Sequence, residues 1–334
     1  MVEQPQALLE VRDLSVRFRM KRGLFGSRSY TVQAVNGVSF DVSAGETFGL
    51  VGESGSGKST IGRALLRLVD ADEGTIRLDG RPVETLHGRM LDFRRDLQVV
   101  FQDPYSSLNP SMVVGDIVGE PLTIHFGLRG AARDERVMQL LEQVGLRGDQ
   151  IERFPSEFSG GQRQRIAIAR ALALEPRVIV CDEAVSALDV STQSQVISLL
   201  EELQARLGIS YLFIAHDLAV VRHISHRIGV LYLGQLMEVG PSERVYEVPA
   251  HPYTRMLLDA VPVADPLEQK RRKAARKARP VAELPSPTSL PTGCPFHPRC
   301  PMAKDVCRTR FPERREVPGG GWVACHVWEP GETP

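Results

Sequence analysis

Residues 52 to 60 read GESGSGKST and contain the phosphate-loop pattern G-x-x-x-x-G-K-[ST]. The stretch follows the apolar run TFGLV and precedes the helical run IGRALLRLV, which is the strand, loop and helix context that the pattern requires. Its glycines allow backbone N–H groups to turn toward phosphate at a helix N-terminus. We predict an α/β fold that binds a nucleoside triphosphate through Gly52, Ser54, Gly55, Gly57, Lys58, Ser59 and Thr60.

Four short apolar runs, TFGLVG, LQVVFQ, VIVCDE and YLFIAH, are typical of parallel strands covered on both faces. Ligands of an open α/β sheet bind beyond the carboxyl ends of its strands, so we expect the four ends to converge on one site. Besides the phosphate loop, these ends supply Gln102, Asp182, Glu183 and His216.

The side chains at these ends indicate metal-assisted hydrolysis of the nucleotide. Lys58 adds charge at the β- and γ-phosphates, and the Ser59 hydroxyl and the Asp182 carboxylate are suited to Mg²⁺. Glu183 follows Asp182 directly and is the candidate general base that orients the attacking water.

Gln102 and His216 complete the predicted catalytic set. The amide oxygen of Gln102 is able to coordinate Mg²⁺ or water, and the His216 ring is able to donate to a γ-phosphate oxygen. Taken singly, each is an ordinary polar residue at a strand end. The prediction depends on their occurring together with the phosphate loop and the acidic pair.

A second anion-binding motif occurs in FSGGQRQR, Phe158 to Arg165. Ser159, Gly160, Gly161 and Gln162 open the helical run QRQRIAIARAL, where the first N–H groups of the helix are free. One chain cannot readily fold this clamp onto its own phosphate loop if the helix belongs to an inserted arm. We therefore expect a second, similar subunit to face the first one head to tail.

The remaining sequence adds further parts to a P-loop NTPase core. Alternating runs from Leu8 to Val42, interrupted by the loop KRGLFGSRSY, and the run GTIRLDG predict an antiparallel β subdomain. The strand pattern is absent between Asp103 and Ser159, which predicts an inserted α-helical subdomain at about 103–160. Within this insertion, one predicted helix ends at Gly145. Its apolar residues recur at helical spacing, namely Val137, Leu140, Leu141 and Val144.

Composition limits the partners and the compartment. The 334 residues carry 41 Lys plus Arg and 41 Asp plus Glu, so no net charge recruits nucleic acid or membrane. The chain shows neither a signal-peptide pattern nor an apolar run of about 18 residues, so we expect a cytoplasmic protein.

Two domains are predicted, a nucleotide-binding domain at 1–255 and a small Cys-rich C-terminal extension at 256–334. The extension contains a basic linker, KRRKAARKAR at 270–279. This run is either a solvated linker or a contact with anionic lipid headgroups. No aromatic residues interleave with its charges, which argues against nucleic-acid binding.

The extension has the spacing C-x₅-C-x₆-C-x₁₇-C, formed by Cys294, Cys300, Cys307 and Cys325. So short a segment, with few large apolar side chains, usually needs a metal or a cross-link to fold. Four thiolates suit a [4Fe–4S] cluster or Zn²⁺, and the lack of close cysteine pairs favours the cluster as a structural staple. Alternatives are zinc ligation that uses His297 or His326, and free or oxidised thiols.

The order of these motifs, with SALD at 186–189, resembles that of ATP-binding-cassette (ABC) ATPases over about residues 8–250. Four further stretches, VFQDPYSSLNPSM, HDLAVVRHIS, HPYTRMLLDAVP and the tail GCPFHPRCP, resemble the ATPase subunits of bacterial dipeptide and oligopeptide importers. Related nickel and glutathione importers share much of this pattern.

The resemblance implies that ATP and Mg²⁺ lie between the predicted catalytic set of one subunit and Ser159 to Gln162 of its partner. Asp189 would connect the two sites across the interface. By position, Tyr30 is the aromatic residue that stacks on adenine, unless it is an exposed loop tyrosine. Proline usually follows the catalytic glutamate in this family, whereas Ala184 stands here, so we expect altered local stiffness without loss of the chemistry.

The resemblance also implies a peripheral ATPase on the cytoplasmic face of the bacterial cell membrane that powers peptide import. Its partners would be a second homologous ATPase, two transmembrane permeases and, indirectly, an extracytoplasmic peptide-binding protein. The stretch after Phe101 would contact a permease coupling helix, or would be a solvated loop. Alternatives are a soluble ABC ATPase acting on ribosomes or in DNA repair, and a weakly hydrolysing member of a heterodimer.

Overall fold

The computed structural model describes residues 7–22, 28–83, 90–261, 265, 270 and 290–329. Its strands are β1 (Ala7–Arg22), β2 (Arg28–Ser43), β3 (Thr47–Val51), β4 (Glu73–Leu78), β5 (Arg81–Pro82), β6 (Leu97–Val100), β7 (Val178–Asp182), β8 (Ser210–Ala215), β9 (Arg227–Tyr232), β10 (Gln235–Pro241), β11 (Arg314–Glu316) and β12 (Trp322–Ala324). Its helices are α1 (Lys58–Leu65), α2 (Met90–Asp96), α3 (Pro104–Ser107), α4 (Val114–Phe126), α5 (Gly130–Gln143), α6 (Gly160–Leu172), α7 (Val190–Leu207), α8 (Leu218–Ile224), α9 (Ser242–Glu247), α10 (Pro252–Leu258) and α11 (Asp305–Thr309).

The core is an eight-stranded sheet with the order β11-β12-β10-β9-β3-β8-β7-β6. The strands from β9 to β6 pair in parallel, and every residue of β3, β7 and β8 is buried. The predicted four parallel strands are therefore confirmed, although the edge strand β6 is only partly buried. Because β3, β8, β7 and β6 are neighbours in the sheet, their carboxyl ends lie side by side.

A second sheet with the order β2-β1-β4-β5 is antiparallel, as the alternating runs predict. Phe40 and Phe48 stack with ring centroids 5.1 Å apart and join this sheet to the core. Pairing between β1 and β2 extends as far as Arg22 and Arg28, so the hairpin is longer than predicted. Hydrogen bonds between β1 and β2 use only backbone groups, which explains why polar residues at both ends of the predicted loop KRGLFGSRSY are paired.

From residue 104 to residue 157 the chain contains helices and two 3₁₀ turns, Gly148–Glu152 and Pro155–Glu157. The apolar face predicted for α5 is buried, and Gly145 follows this helix with a φ of 74°. Helix α4 ends at Phe126 and is capped by Gly127, which has a φ of 68°. This region packs on α6, whose buried side chains belong to the same hydrophobic core as β7.

The C-terminal extension joins the core sheet, which the sequence did not indicate. Strand β12 pairs with β10 and also with β11. A Cβ on Gly321 would lie 2.0 Å from the Val239 carbonyl oxygen, so this approach requires glycine. Behind the strands is a small apolar cluster of Ala250, Val317, Val323, Cys325 and Trp328.

Two further sequence predictions concern the basic run and the expected lack of a membrane-spanning helix. Apart from Lys270, the basic run at 270–279 lies outside the described residues. Among the helices that the structure describes, none has the length and apolar character needed to cross a bilayer.

Candidate functional site

The phosphate loop connects the end of β3 to the start of α1. A Cβ on Gly52 would lie 2.2 Å from the Leu231 carbonyl oxygen, and one on Gly57 would lie 2.3 Å from that of Ala34. Gly57 also has a φ of 105°. Close packing against β2 and β9 therefore requires glycine at both positions, independently of any ligand.

Lys58 lies inside the loop and is 3% exposed. Its Nζ donates hydrogen bonds to the carbonyl oxygens of Gly52, at 2.7 Å, and Glu53, at 3.0 Å. Burial lowers the pKa of Lys58, and the nearby carboxylates of Glu183, Asp182 and Glu53 oppose this shift. The ammonium group is thus held at the centre of the loop.

Ser59 and Asp182 meet across the ends of α1 and β7. Ser59 Oγ donates a hydrogen bond of 2.8 Å to Asp182 Oδ1. Burial raises the pKa of Asp182, and the hydrogen bond from Ser59 partly counters this effect. A hydroxyl and a buried carboxylate side by side supply the oxygen ligands that Mg²⁺ prefers.

Glu183 and His216 face each other because they follow the adjacent strands β7 and β8. His216 Nδ1 lies 3.4 Å from Glu183 Oε2, with the histidine side chain 55% exposed and the glutamate 17% exposed. Glu183 has a φ of 50°, and its N–H donates to the Ile214 carbonyl at 2.9 Å. Residue 183 is therefore held in the left-handed region with its carboxylate near the loop.

Lys58, Ser59 and Glu183 line a cavity of about 400 Å³, whereas the predicted residues Gly52, Asp182 and His216 are not among its lining residues. Of the predicted residues, the cavity is lined by Ser54, Gly55, Gly57, Lys58, Ser59, Thr60, Gln102 and Glu183. Sequence reasoning missed five further lining residues, namely Val32, Gln33, Ala34, Leu233 and Leu290. The first three follow from the position of β2 beside the loop, but no sequence signal marked Leu290.

Tyr30 is not among the residues that line this cavity. It lies on β2 and pairs with Met20 of β1. The predicted adenine contact of Tyr30 stays a prediction, and Val32 is the lining residue that lies closest to it in sequence.

The motif Ser159 to Gln162 begins α6 and is likewise not part of the cavity lining. Ser159 Oγ accepts a hydrogen bond of 3.3 Å from the Gln162 N–H, and Gln162 Oε1 accepts one of 3.0 Å from the Ser159 N–H. This capping box fixes the start of the helix. A Cβ on Gly161 would lie 2.3 Å from Thr192 Cγ2, so close contact with α7 requires glycine.

Asp189 caps α7 at the same surface. Its carboxylate accepts hydrogen bonds from the Ser191 hydroxyl, at 2.5 Å, the Thr192 N–H, at 3.0 Å, and the Thr192 hydroxyl, at 2.8 Å. These donors hold the pKa of Asp189 well below its usual range. Asp189 is thus an ionised, rigid group beside the start of α6.

The four cysteines of the extension lie within electrostatic range of one another, and all are free thiols. Burial is the main cause that raises the pKa of Cys294 to about 12, and charge on the other three cysteines contributes to the same shift. Burial raises the pKa of Cys300 to about 11. The Cys294 N–H also donates to the Cys307 carbonyl at 2.9 Å.

The predicted metal centre is not found as a formed site. Within the part of the chain that the structure describes, no group of three or more His, Cys, Asp or Glu side chains is arranged to hold a metal. His297 Nδ1 lies 2.9 Å from the Cys294 carbonyl oxygen, and His326 Nε2 lies 2.8 Å from that of Arg310. Each alternative histidine ligand therefore has a ring nitrogen engaged with the backbone.

Two protein-family models match the chain. Residues 35–186 match the family described as ABC transporter. Residues 237–307 match the family described as oligopeptide/dipeptide transporter, C-terminal region. The second match contains HPY at 251–253 and three of the four cysteines.

The chain is also similar to curated proteins and to solved structures. It is 48% identical to the oligopeptide transport ATP-binding protein AppF of Bacillus subtilis (strain 168), over 97% of this chain and 98% of AppF. A dimeric structure of the ATP-binding cassette MJ0796, in a post-hydrolysis state bound to ADP and Pi, is 28% identical with a TM-score of 0.62 and covers 70% of this chain and 98% of its own. CbiO1 of Clostridium perfringens, part of the ABC transporter complex cbiONQ, is 26% identical with a TM-score of 0.61 over 72% of this chain and 90% of its own.

Proposed function

The chain belongs to the ABC transporter ATP-binding proteins of the oligopeptide transport type, and we propose that it is the ATP-hydrolysing subunit of a bacterial inner-membrane importer of dipeptides and oligopeptides. One observation carries the proposal. The ends of β3, β7 and β8 bring together Lys58, the Ser59–Asp182 pair and the Glu183–His216 pair, and of these Lys58, Ser59 and Glu183 line a single cavity. The matched C-terminal region supports peptides as cargo in preference to nickel or glutathione.

In this proposal the loop binds the phosphates of ATP and the neighbouring oxygens bind Mg²⁺. Lys58 and the N–H groups at the start of α1 neutralise the phosphate charge. Ser59, Asp182 and Gln102 would hold Mg²⁺, which supplies charge compensation at the β- and γ-phosphates. The Ser59–Asp182 hydrogen bond fits this role, because it places a hydroxyl and a buried carboxylate at the loop before ligands bind.

Glu183 and His216 act on the attacking water and the γ-phosphate. Glu183 accepts a proton from water, and His216 orients Glu183 and donates to a phosphate oxygen. The 3.4 Å separation between their side chains supports this pairing. The exposed edge of His216 leaves room for nucleotide to approach from the solvent side.

We further propose that each complete ATP site is shared between two ATPase subunits. Ser159 to Gln162 do not line the cavity of their own chain. The capping box uses the N–H groups of Ser159 and Gln162, which leaves those of Gly160 and Gly161 to face nucleotide on a partner. The rigid Asp189 cap beside them supports a contact across the interface. The partner is a second homologous ATPase in head-to-tail orientation, and the dimeric MJ0796 structure is consistent with such pairing.

A groove between the core and the helical region suits a permease. It has a volume of about 340 Å³ and is lined in part by Leu66, Leu68, Phe101, Pro121 and Ile124. Leu68 is 58% exposed and Ile124 is 61% exposed, which is unusual for side chains of this size. Phe101 directly precedes Gln102, so the groove adjoins the ATP cavity.

We propose that a coupling helix of one permease docks in this groove, while the predicted contact at DPYSSLNP stays a prediction. In that stretch Tyr105 is exposed but has the Arg163 guanidinium over its ring at 4.0 Å. Docking of a permease in the groove would place the chain peripherally on the cytoplasmic face of the membrane, with an extracytoplasmic peptide-binding protein on the opposite side.

The four-cysteine segment is the proposed site of a [4Fe–4S] cluster, with Zn²⁺ as the alternative. The four-cysteine spacing supports the proposal, and so does the 2.9 Å hydrogen bond from the Cys294 N–H to the Cys307 carbonyl, which brings two of these residues together. The described side chains do not form a ready ligand set, so ligation requires the thiols to move closer together. The group would act as a structural staple of the extension.

Anaerobic co-purification of the full chain from its native membrane tests these proposals together. Partner proteins are identified by mass spectrometry, and iron, sulfide and zinc are measured per chain. We expect two permeases, a second ATPase and about four irons, as a [4Fe–4S] cluster requires. Recovery of the chain alone or with ribosomes would contradict transport, and absence of both iron and zinc would contradict the metal proposal alone.

A further inference from the structure

The phosphate loop is held from outside by residues of the C-terminal part of the chain. Glu53 is the second residue of the loop, and each of its polar groups has a partner. Its N–H donates to Tyr253 Oη at 2.9 Å, and its carbonyl accepts from Lys58 Nζ at 3.0 Å. Its carboxylate accepts two hydrogen bonds from Arg299, of 2.6 and 2.9 Å. Tyr253 and Arg299 lie 200 and 246 residues further along the chain.

The pair between Arg299 and Glu53 has the features of a strong ion pair. Both guanidinium nitrogens contact the carboxylate, and the side chains are only 14% and 25% exposed. Hydrogen bonds to Glu53 raise the pKa of Arg299. Bidentate, charge-assisted hydrogen bonds fix direction as well as distance, unlike a solvent-exposed ion pair. Glu53 is therefore held in one orientation.

Packing within the extension fixes Arg299 in turn. Its N–H donates to the Phe296 carbonyl at 3.0 Å, and its guanidinium lies 5.9 Å from the Phe296 ring centroid. The Phe296 ring packs against Tyr232 and Tyr253, each with centroids 5.3 Å apart. Arg299 also directly precedes Cys300. The four-cysteine segment thus sets where this guanidinium lies.

We propose that Arg299 and Tyr253 are positioning residues of the ATP site and that docking of the C-terminal extension sets the affinity for ATP. Displacement of Glu53 would move one of the two carbonyl oxygens that hold Lys58. Leu290 of the same extension lines the cavity and provides an independent link. The inference rests on the proposed function only in taking MgATP as the ligand of the loop.

The expected effect is on binding and not on the chemical step. Glu183 and His216 follow β7 and β8, and neither is among the side-chain hydrogen-bond or ion-pair partners of Arg299. Loss of the Arg299 guanidinium should therefore raise the KM for ATP and leave kcat at saturating ATP unchanged. A general loss of folded protein would lower kcat per chain and leave KM alone.

Calorimetric titration of MgATP into the full chain tests this. Arg299→Met keeps the apolar stem and removes the guanidinium, and we expect it to raise Kd by about fivefold or more. The matched control is Arg310→Met in the same segment, which removes an exposed ion pair with Glu313. We expect the control to leave Kd unchanged.

A double-mutant cycle assigns the effect to Glu53. In a Glu53→Ala background, Arg299→Met should cause no further rise in Kd. Tyr253→Phe removes only a hydroxyl and should also raise Kd, which provides a second variant if Arg299→Met fails to fold. Fluorescence of Trp322 and Trp328, the only tryptophans in the sequence, reports whether the extension stays docked.

Unchanged Kd in both Arg299→Met and Tyr253→Phe would overturn the inference. So would an equal rise for Arg299→Met with and without Glu53, because the effect would then not pass through the loop. A wild-type chain that binds no MgATP would instead overturn the proposed function.

Discussion

Glu183 is the residue on which hydrolysis depends most directly. Glu183→Gln keeps the size of the side chain and removes the charge that accepts a proton. We expect turnover of the assembled complex to fall by about 10² to 10⁴, while MgATP still binds because Lys58, Ser59 and Asp182 are intact. Phosphate release and equilibrium binding measure the two effects. Glu201→Gln, exposed on α7, is the control, and unchanged turnover in Glu183→Gln would remove Glu183 from the mechanism.

At this scale the sequence indicated which side chains follow neighbouring strands, while their roles at the site stay predictions. Lys58, Ser59, Asp182, Glu183 and His216 were identified because the motif and the strand ends constrain where they lie. The partners of Glu53 could not be predicted, since they come from segments 200 and 246 residues away in the chain. A glutamate within a phosphate loop carries no local signal of such partners.

Among the elements, α6 combines a structural cap with a proposed nucleotide contact. Ser159→Ala removes one side of the capping box and should cost about 1 kcal/mol of stability. Because Ser159 does not line its own cavity, the isolated chain should bind MgATP with unchanged Kd. Turnover of the assembled complex should fall by about tenfold or more, since the partner's nucleotide loses a donor.

Two measurements separate these roles of Ser159. Ser194→Ala, which removes an exposed hydroxyl from α7, should leave turnover unchanged. If the complex with Ser159→Ala keeps full turnover, the cap is purely structural and the shared-site proposal fails.

His251, at the N-terminus of α10, is a buried histidine with a measurable pH effect. His251 is 1% exposed, accepts a hydrogen bond from the Tyr253 N–H and packs 5.8 Å from the Phe296 ring centroid. Burial lowers the pKa of His251 to about 3. Below a pH of about 6.5 the unfolded chain takes up a proton that the folded chain does not. The free energy of unfolding therefore falls as the pH falls between these values, by up to about 1.4 kcal/mol per pH unit.

His251→Asn keeps a side-chain acceptor for the helix N-terminus and removes the titrating ring. We expect its unfolding free energy to decline less steeply than that of the wild type between pH 6.5 and 5, by about 2 kcal/mol in total. Urea titrations followed by tryptophan fluorescence measure this. His223→Asn, exposed on α8, should retain the wild-type decline, and an identical decline in His251→Asn would show that residue 251 does not cause it.

The elements themselves were predictable to different degrees. Buried parallel strands give apolar runs of five or six residues, and α5 shows clear helical spacing. Strands β11 and β12 have only three residues each, which is too short for a periodic pattern. The sequence therefore pointed to a metal or a cross-link as the support of the extension, whereas strand pairing and the Ala250 cluster also anchor it.

Across the whole molecule, one sheet connects the ATP cavity to the extension, and an apolar groove adjoins the same cavity. The nucleotide-binding core can be predicted from motifs within the chain. Completion of the ATP site, docking on permeases and the choice of peptide depend on surfaces of other proteins, which one sequence cannot specify. Transport is therefore tested on the assembled complex.

Peptide uptake by proteoliposomes tests the proposed function most directly. The co-purified complex is reconstituted with ATP inside and the peptide-binding protein and a mixture of short peptides outside, and internal peptides are quantified by mass spectrometry. With the wild-type chain we expect peptides to accumulate only when ATP is hydrolysable, and with Glu183→Gln we expect an assembled complex without accumulation. Equal accumulation with Glu183→Gln, or ATP hydrolysis by the wild type without any peptide uptake, would contradict an ATP-driven peptide importer.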